Sequence, residues 1–154
     1  MELNKQVVSL ELARKLRELG FTQDSVWHWK VSKNEKIYLR HGINFESSSP
    51  RKGTRCLFYS AFSVAELGEM LPQVIESNMK PPFSRTQKTY QLTVTLGLDK
   101  QWFVVYTNIN NANDNAEFPI KMCHNEADAR AKMLIWLKEN NYLDSSHTEV
   151  KEKE

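Results

Sequence analysis

The sequence has only two cysteines, Cys56 and Cys123, too few for a disulfide framework or for a zinc site of the usual ligand spacing. It has five glycines and no glycine-rich loop ahead of a helix, which excludes phosphate cradles of the Rossmann or P-loop kind. A G-x-S-x-G elbow is missing, and so is any internal repeat. No apolar run approaches the roughly 20 residues that cross a bilayer. The opening M-E-L-N-K-Q-V-V-S-L-E-L is interrupted by Glu2, Lys5 and Glu11 and so lacks a signal-peptide core. Neither sign of charge dominates: the net charge is +2, and the run from Asp144 onward contributes −2, leaving a mildly basic body of +4. These absences point to a reduced, cytoplasmic chain, well short of the charge of a protein that coats DNA.

What is present is a set of well-bounded helices and strands. Asn125 to Leu143 is the best-determined stretch: Asn125 is placed to cap a helix, Glu126 and Asp128 complement its dipole, and Asp128, Lys132 and Glu139 form one narrow polar stripe. Ala127, Ala131, Leu134 and Ile135 on one side, with Met133, Trp136 and Leu137 on the flank, call for burial around most of the helix. A first helix is expected from Ser9 to Leu19, with Glu11–Lys15 and Arg14–Glu18 on its wet side and Gly20 and Phe21 closing it. Ser63-Val64-Ala65-Glu66 spells a capping box, with Phe62 and Leu67 as its staple. Pro72 stops that short helix, and Gln73 to Met79 is read as a further turn.

Alternation and β-branched or aromatic content predict strands at Val26–Val31, Lys36–Arg40, Arg55–Ser60, Tyr90–Leu96, Trp102–Tyr106 and Glu117–Met122. The first two make a hairpin with Trp27, Trp29 and Val31 on one face and His28 and Lys30 on the other. Gly42–Thr54 and Asn108–Asn115 read as loops, and 144–154 as a disordered polar tail. The expected fold is one α+β domain over residues 1–143: an antiparallel sheet of five to six strands with the N-terminal and C-terminal helices packed on one face.

The candidate metal ligands His28, His41, Cys56, Cys123, His124 and His147 share no ligand spacing. Glu66 and Glu69, three apart on the second helix, read as a cap and a surface group before an acid and a base. No catalytic residue, cofactor or metal is assigned. The stretch from His28 to Arg55 is different: seven basic residues face two acids, Glu35 and Glu46, with Trp29, Tyr38 and Phe45 interleaved. Cations neutralise phosphates and exposed rings stack bases, so Lys30, Lys33, Lys36, Tyr38, Arg40, Arg51, Lys52 and Arg55 form a candidate nucleic-acid surface. Against it, the Trp27–Trp29–Val31 face reads as core, and lysines on an edge hairpin also deter strand-to-strand aggregation.

The blocks V-V-S-L-E-L-A-R-K-L-R-E-L-G, A-F-S-V-A-E-L-G-E-M-L-P and E-A-D-A-R-A-K-M-L-I-W-L-K-E-N together resemble a group of small uncharacterised proteins found in bacteria, phages and prophages. The resemblance implies a cytoplasmic protein of bacterial or phage type and transfers no site. The expected function is a non-enzymatic binding or accessory role toward an unknown protein partner or a second copy, met at Trp136 or at the Met70–Leu71–Pro72 corner. Nucleic-acid binding through Lys30–Arg55 is the alternative.

Overall fold

The computed structural model describes residues 3–42, 56–76, 88–111 and 118–143. After one 3-10 turn at Leu3–Lys5 come α1 (Leu10–Glu18), β1 (Trp27–Val31), β2 (Ile37–His41), β3 (Leu57–Ser60) and α2 (Val64–Met70). The chain continues through β4 (Val74–Glu76), β5 (Thr89–Leu96), β6 (Trp102–Asn108), β7 (Lys121–Cys123) and α3 (Glu126–Glu139).

The helix caps act at the expected positions. Asn125 Oδ1 accepts the Ala127 N–H at 3.0 Å, and the same side chain donates through Nδ2 to the Val7 carbonyl at 2.9 Å. Ser63 Oγ accepts the Glu66 N–H at 3.3 Å while Glu66 Oε2 accepts the Ser63 N–H at 2.6 Å, completing the capping box. At the end of α1, Gly20 takes φ +84°, its N–H reaches the Arg17 carbonyl, and the Phe21 N–H reaches that of Leu16, which is a Schellman closure. Ser9 stands at the start of α1, but its hydroxyl makes no cap bond; instead its N–H donates to Asp128 Oδ1 at 2.7 Å and ties α1 to the first turn of α3.

Seven side chains of α3 are buried, and α1, α2, β6 and β7 all pack on it. Three of the seven are alanines, which let these neighbours approach closely. Phe118 joins the layers: its ring meets Tyr90, Tyr106, Trp136 and Tyr142 at 4.8–5.5 Å between centroids. Tyr106 donates its hydroxyl to the Pro72 carbonyl at 2.6 Å, and burial raises the pKa of that hydroxyl.

The strands form two antiparallel sheets rather than one, ordered β2-β1-β3 and β4-β5-β6-β7. Alternation identifies a strand but not its neighbour, so the single five- to six-stranded sheet is corrected to sheets of three and four. The seventh strand is β4, where a helical turn was expected. Val74 and Ile75 pair with Gln91 and Tyr90, and burying Ile75 outweighs the local preference of so short a segment. Helix α3 lies on β6 and β7, whereas α1 bears on α3 and on β3 of the other sheet. Asn108 is not a loop residue; it ends β6, buried, with Oδ1 accepting the Asn110 N–H. Residues 43–54 of the first expected loop, 112–115 of the second and the tail 144–154 lie outside the described residues. Among the described residues no helix is long and apolar enough to cross a membrane.

Replacing Asn125 by alanine removes the α3 cap, worth about 1 kcal/mol, and strands a buried carbonyl at a cost of about 1–3 kcal/mol. Asn125→Asp keeps the cap acceptor but not the donor to Val7. Urea denaturation is expected to rank Asn125→Ala below Asn125→Asp, and both below the parent chain.

Candidate nucleic-acid interface

The three-stranded sheet carries two of the four described basic candidates, Lys30 and Arg40, and the β1–β2 connection carries Lys33 and Lys36. Strand β1 is central, and its register sets Trp27 opposite His41, His28 opposite Arg40, Trp29 opposite Leu39 and Lys30 opposite Tyr38. On its other side His28 faces Ser60, Trp29 faces Tyr59 and Lys30 faces Phe58. Residues directly opposite in an antiparallel pair share a face. One face therefore carries the row Leu39–Trp29–Tyr59 and the other the rows Tyr38–Lys30–Phe58 and Arg40–His28–Ser60.

The first face is turned toward the body of the protein, as expected for Trp29. Its indole N–H donates to the Val8 carbonyl at 2.8 Å, and the guanidinium carbons of Arg14 and Arg17 on α1 each lie 5.4 Å from the centre of the Tyr59 ring. The second face divides into two ends. At one, His28 is buried, with Nε2 3.5 Å from the Gln23 carbonyl, and Gln23 Oε1 accepts the Ser60 N–H at 2.9 Å. Burial lowers the His28 pKa despite the Gln23 carbonyl and the Glu66 charge, so the neutral imidazole is the favoured form. Glu66 serves as a clamp here: besides capping α2 it accepts the Val26 N–H and the Ser25 hydroxyl. Burial alone would raise its pKa, but these donors and Ser63 outweigh burial and lower it.

The other end, the row Tyr38–Lys30–Phe58, is basic and aromatic, and Arg40, directly across from His28, borders it. The Lys30 ammonium lies 5.9 Å from the Phe58 ring centre, and the Arg40 guanidinium 5.7 Å from that of Tyr38. Tyr38 is 42 % exposed, and two residues to either side of it Lys36, just ahead of β2, and Arg40, within it, are exposed. Among the described residues no strand residue on this face is acidic. Lys33 stands in the hairpin turn, whereas Arg51, Lys52 and Arg55 lie outside the described residues. Phe58 was not among the sequence candidates; only the register of β3 against β1 puts it beside Lys30.

Elsewhere the chemistry is sparse. Among the described residues no three His, Cys, Asp or Glu side chains come together as a metal site. Cys56 and Cys123 are free thiols, and the pKa of Lys132 is raised chiefly by the neighbouring Cys123 sulfur, against the lowering effect of burial. A cleft of about 550 Å³ between α1 and α3 is lined by Leu12, Trp136, Lys121 and Lys132, with Lys15 paired to Glu139 at 2.9 Å. Trp136 is half-buried, stacked on Tyr142 and lines this cleft; Leu71 is buried, the Pro72 carbonyl accepts the Tyr106 hydroxyl, and Met70 lines a second cleft with Phe21 and Glu69. Searches against protein-family models, curated proteins and solved structures find no match for the chain.

The two shifted groups make the clamp acid-sensitive in two windows. His28 has a folded pKa below its ordinary 6.5, so its contribution is complete above that value and is lost as pH falls through it. Glu66 is depressed below 4.5, so its contribution is lost only as pH falls beneath that value. Thermal denaturation against pH is expected to show both declines, with His28→Gln flattening the first and leaving the second.

Proposed function

We propose that the chain is a non-enzymatic, cytoplasmic binding protein of bacterial or phage type whose three-stranded sheet engages nucleic acid. The observation that carries this reading is the cross-strand row Tyr38–Lys30–Phe58, flanked by Lys36 and Arg40 with no strand acid on that face among the described residues. Cations there neutralise phosphates, and a ring held among them offers an apolar surface to a base. Lys33 in the turn and Arg51, Lys52 and Arg55 in the connection between β2 and β3 add four more positive charges in the same stretch of sequence.

A body charge of only +4 sets the scale: binding of about micromolar strength that weakens steeply with salt, as expected where few phosphates are contacted. Titration of labelled mixed-sequence oligonucleotides followed by anisotropy tests this. Replacing Lys30, Lys33, Lys36 and Arg40 by alanine is expected to abolish binding, and each single change to lower the logarithmic salt slope by about 1. Binding that survives the fourfold change unaltered contradicts the reading.

A second reading, a protein partner or a second copy, is favoured by the outer face of the four-stranded sheet. Val74, Thr93, Phe103, Val105 and Met122 share the side opposite buried Ile75, Tyr90, Val104 and Tyr106, and Val74 and Met122 are each 51 % exposed. Self-association through that face predicts a dimer mass by light scattering that Val105→Lys reduces to monomer. A monomer at every concentration contradicts self-association.

A further inference from the structure

The same face carries an inference about which form of nucleic acid it takes, and this rests on the nucleic-acid reading above. Tyr38, 42 % exposed, lies on the edge strand β2, two residues from Arg40 along the strand and directly across from Lys30. An aromatic ring binds a base by lying flat on it, and in a duplex each base face is already covered by its stacked neighbours. Only an unpaired base has a face to give.

The breadth of the sheet argues the same way. Three strands, each taking up about 4.8 Å of breadth, present a face about 14 Å across. A major groove of about 12 Å admits a helix or a two-stranded ribbon. The row Tyr38–Lys30–Phe58 runs across all three strands, so presented face-on it is too broad to enter such a groove. A duplex is left with phosphate contacts alone, whereas an extended single strand can lie across the rows with its phosphates near the cations. Phe58 has a separate part: half-buried, with the Lys30 ammonium above its ring, it fixes where that charge sits.

We propose that the β2-β1-β3 face binds single-stranded nucleic acid, with an unpaired base stacked on Tyr38 and the backbone phosphates held by Lys30, Lys36 and Arg40. Stacking is tolerant of base identity, so the expected preference is for strandedness rather than sequence.

The test uses the full chain and three labelled probes of about 16 nucleotides, a length within the range of single-strand sites: oligo-dT, oligo-U and a DNA duplex, all at one salt concentration. Both single strands are expected to bind at least about tenfold tighter than the duplex. Tyr38→Leu is expected to lower single-strand affinity by about tenfold while leaving duplex binding unchanged. Tyr38→Trp restores a stacking ring and is expected to keep the affinity and to show added fluorescence quenching by the single strands. That variant keeps the test decisive if the leucine substitution disturbs folding, which circular dichroism monitors. Equal affinity for single strands and duplex, with Tyr38→Leu neutral and a Lys30/Lys36/Arg40 alanine variant losing both, overturns the inference while the nucleic-acid reading stands. Binding to none of the probes overturns both.

Discussion

The extended segment Gln6–Ser9 is the constraint on which the rest of the structure depends. Its four consecutive backbone positions are claimed by three different parts of the chain. The Gln6 carbonyl accepts the Val64 N–H, the Val8 N–H donates to the Phe62 carbonyl, the Val8 carbonyl accepts the Trp29 indole, and the Ser9 N–H donates to Asp128. Asn125 adds its own bond to the Val7 carbonyl. Val7 and Val8 are both buried, so the polar groups of these two residues would each carry a desolvation cost of about 1–3 kcal/mol if the partner were lost. The segment therefore fixes the first sheet, the start of α2 and the start of α3 against one another.

That fixing determines which face of the first sheet is free for function. Trp29 is drawn inward by its bond to Val8, and α1 covers Tyr59 from the same side. Strand alternation then turns Lys30, Tyr38 and Phe58 to the opposite side together. One end of that side is sealed by the Glu66 clamp and by buried His28. Lys30 is left at the other end and Arg40 on the edge strand across from His28, a local concentration that a net charge of +2 over the whole chain gives no hint of. A modest overall charge and a locally basic surface are compatible because the register, and not the composition, gathers the cations.

The parts of this account that were legible in the sequence are those set by neighbours in the chain. The capping box at Ser63, the cap at Asn125 and the closure at Gly20 are local chemistry, and each appears where its spelling put it. The strands of the first hairpin and the β5–β6 pair were legible from alternation. What was not legible is pairing at long range. Ser9 was recognisable as a helix start, but its partner, Asp128, lies 119 residues away. Val74–Glu76 is too short to show a period, and only Tyr90 and its neighbours make it a strand. The division into two sheets, the burial of His28 and the place of Phe58 beside Lys30 follow from the same cause. Of the candidate site, the basic residues could be named from composition, but their common face could not.

The most direct test of the central claim, that nucleic acid meets the outer face of the β2-β1-β3 sheet, is amide chemical-shift mapping of the isotope-labelled protein during titration with a short single-stranded oligonucleotide. The account predicts shifts concentrated at Lys30, Lys36, Tyr38, Arg40 and Phe58, with α3 and the four-stranded sheet undisturbed. Shifts gathered instead along the α1–α3 cleft around Trp136, Lys121 and Lys132, with the three-stranded sheet silent, would contradict it.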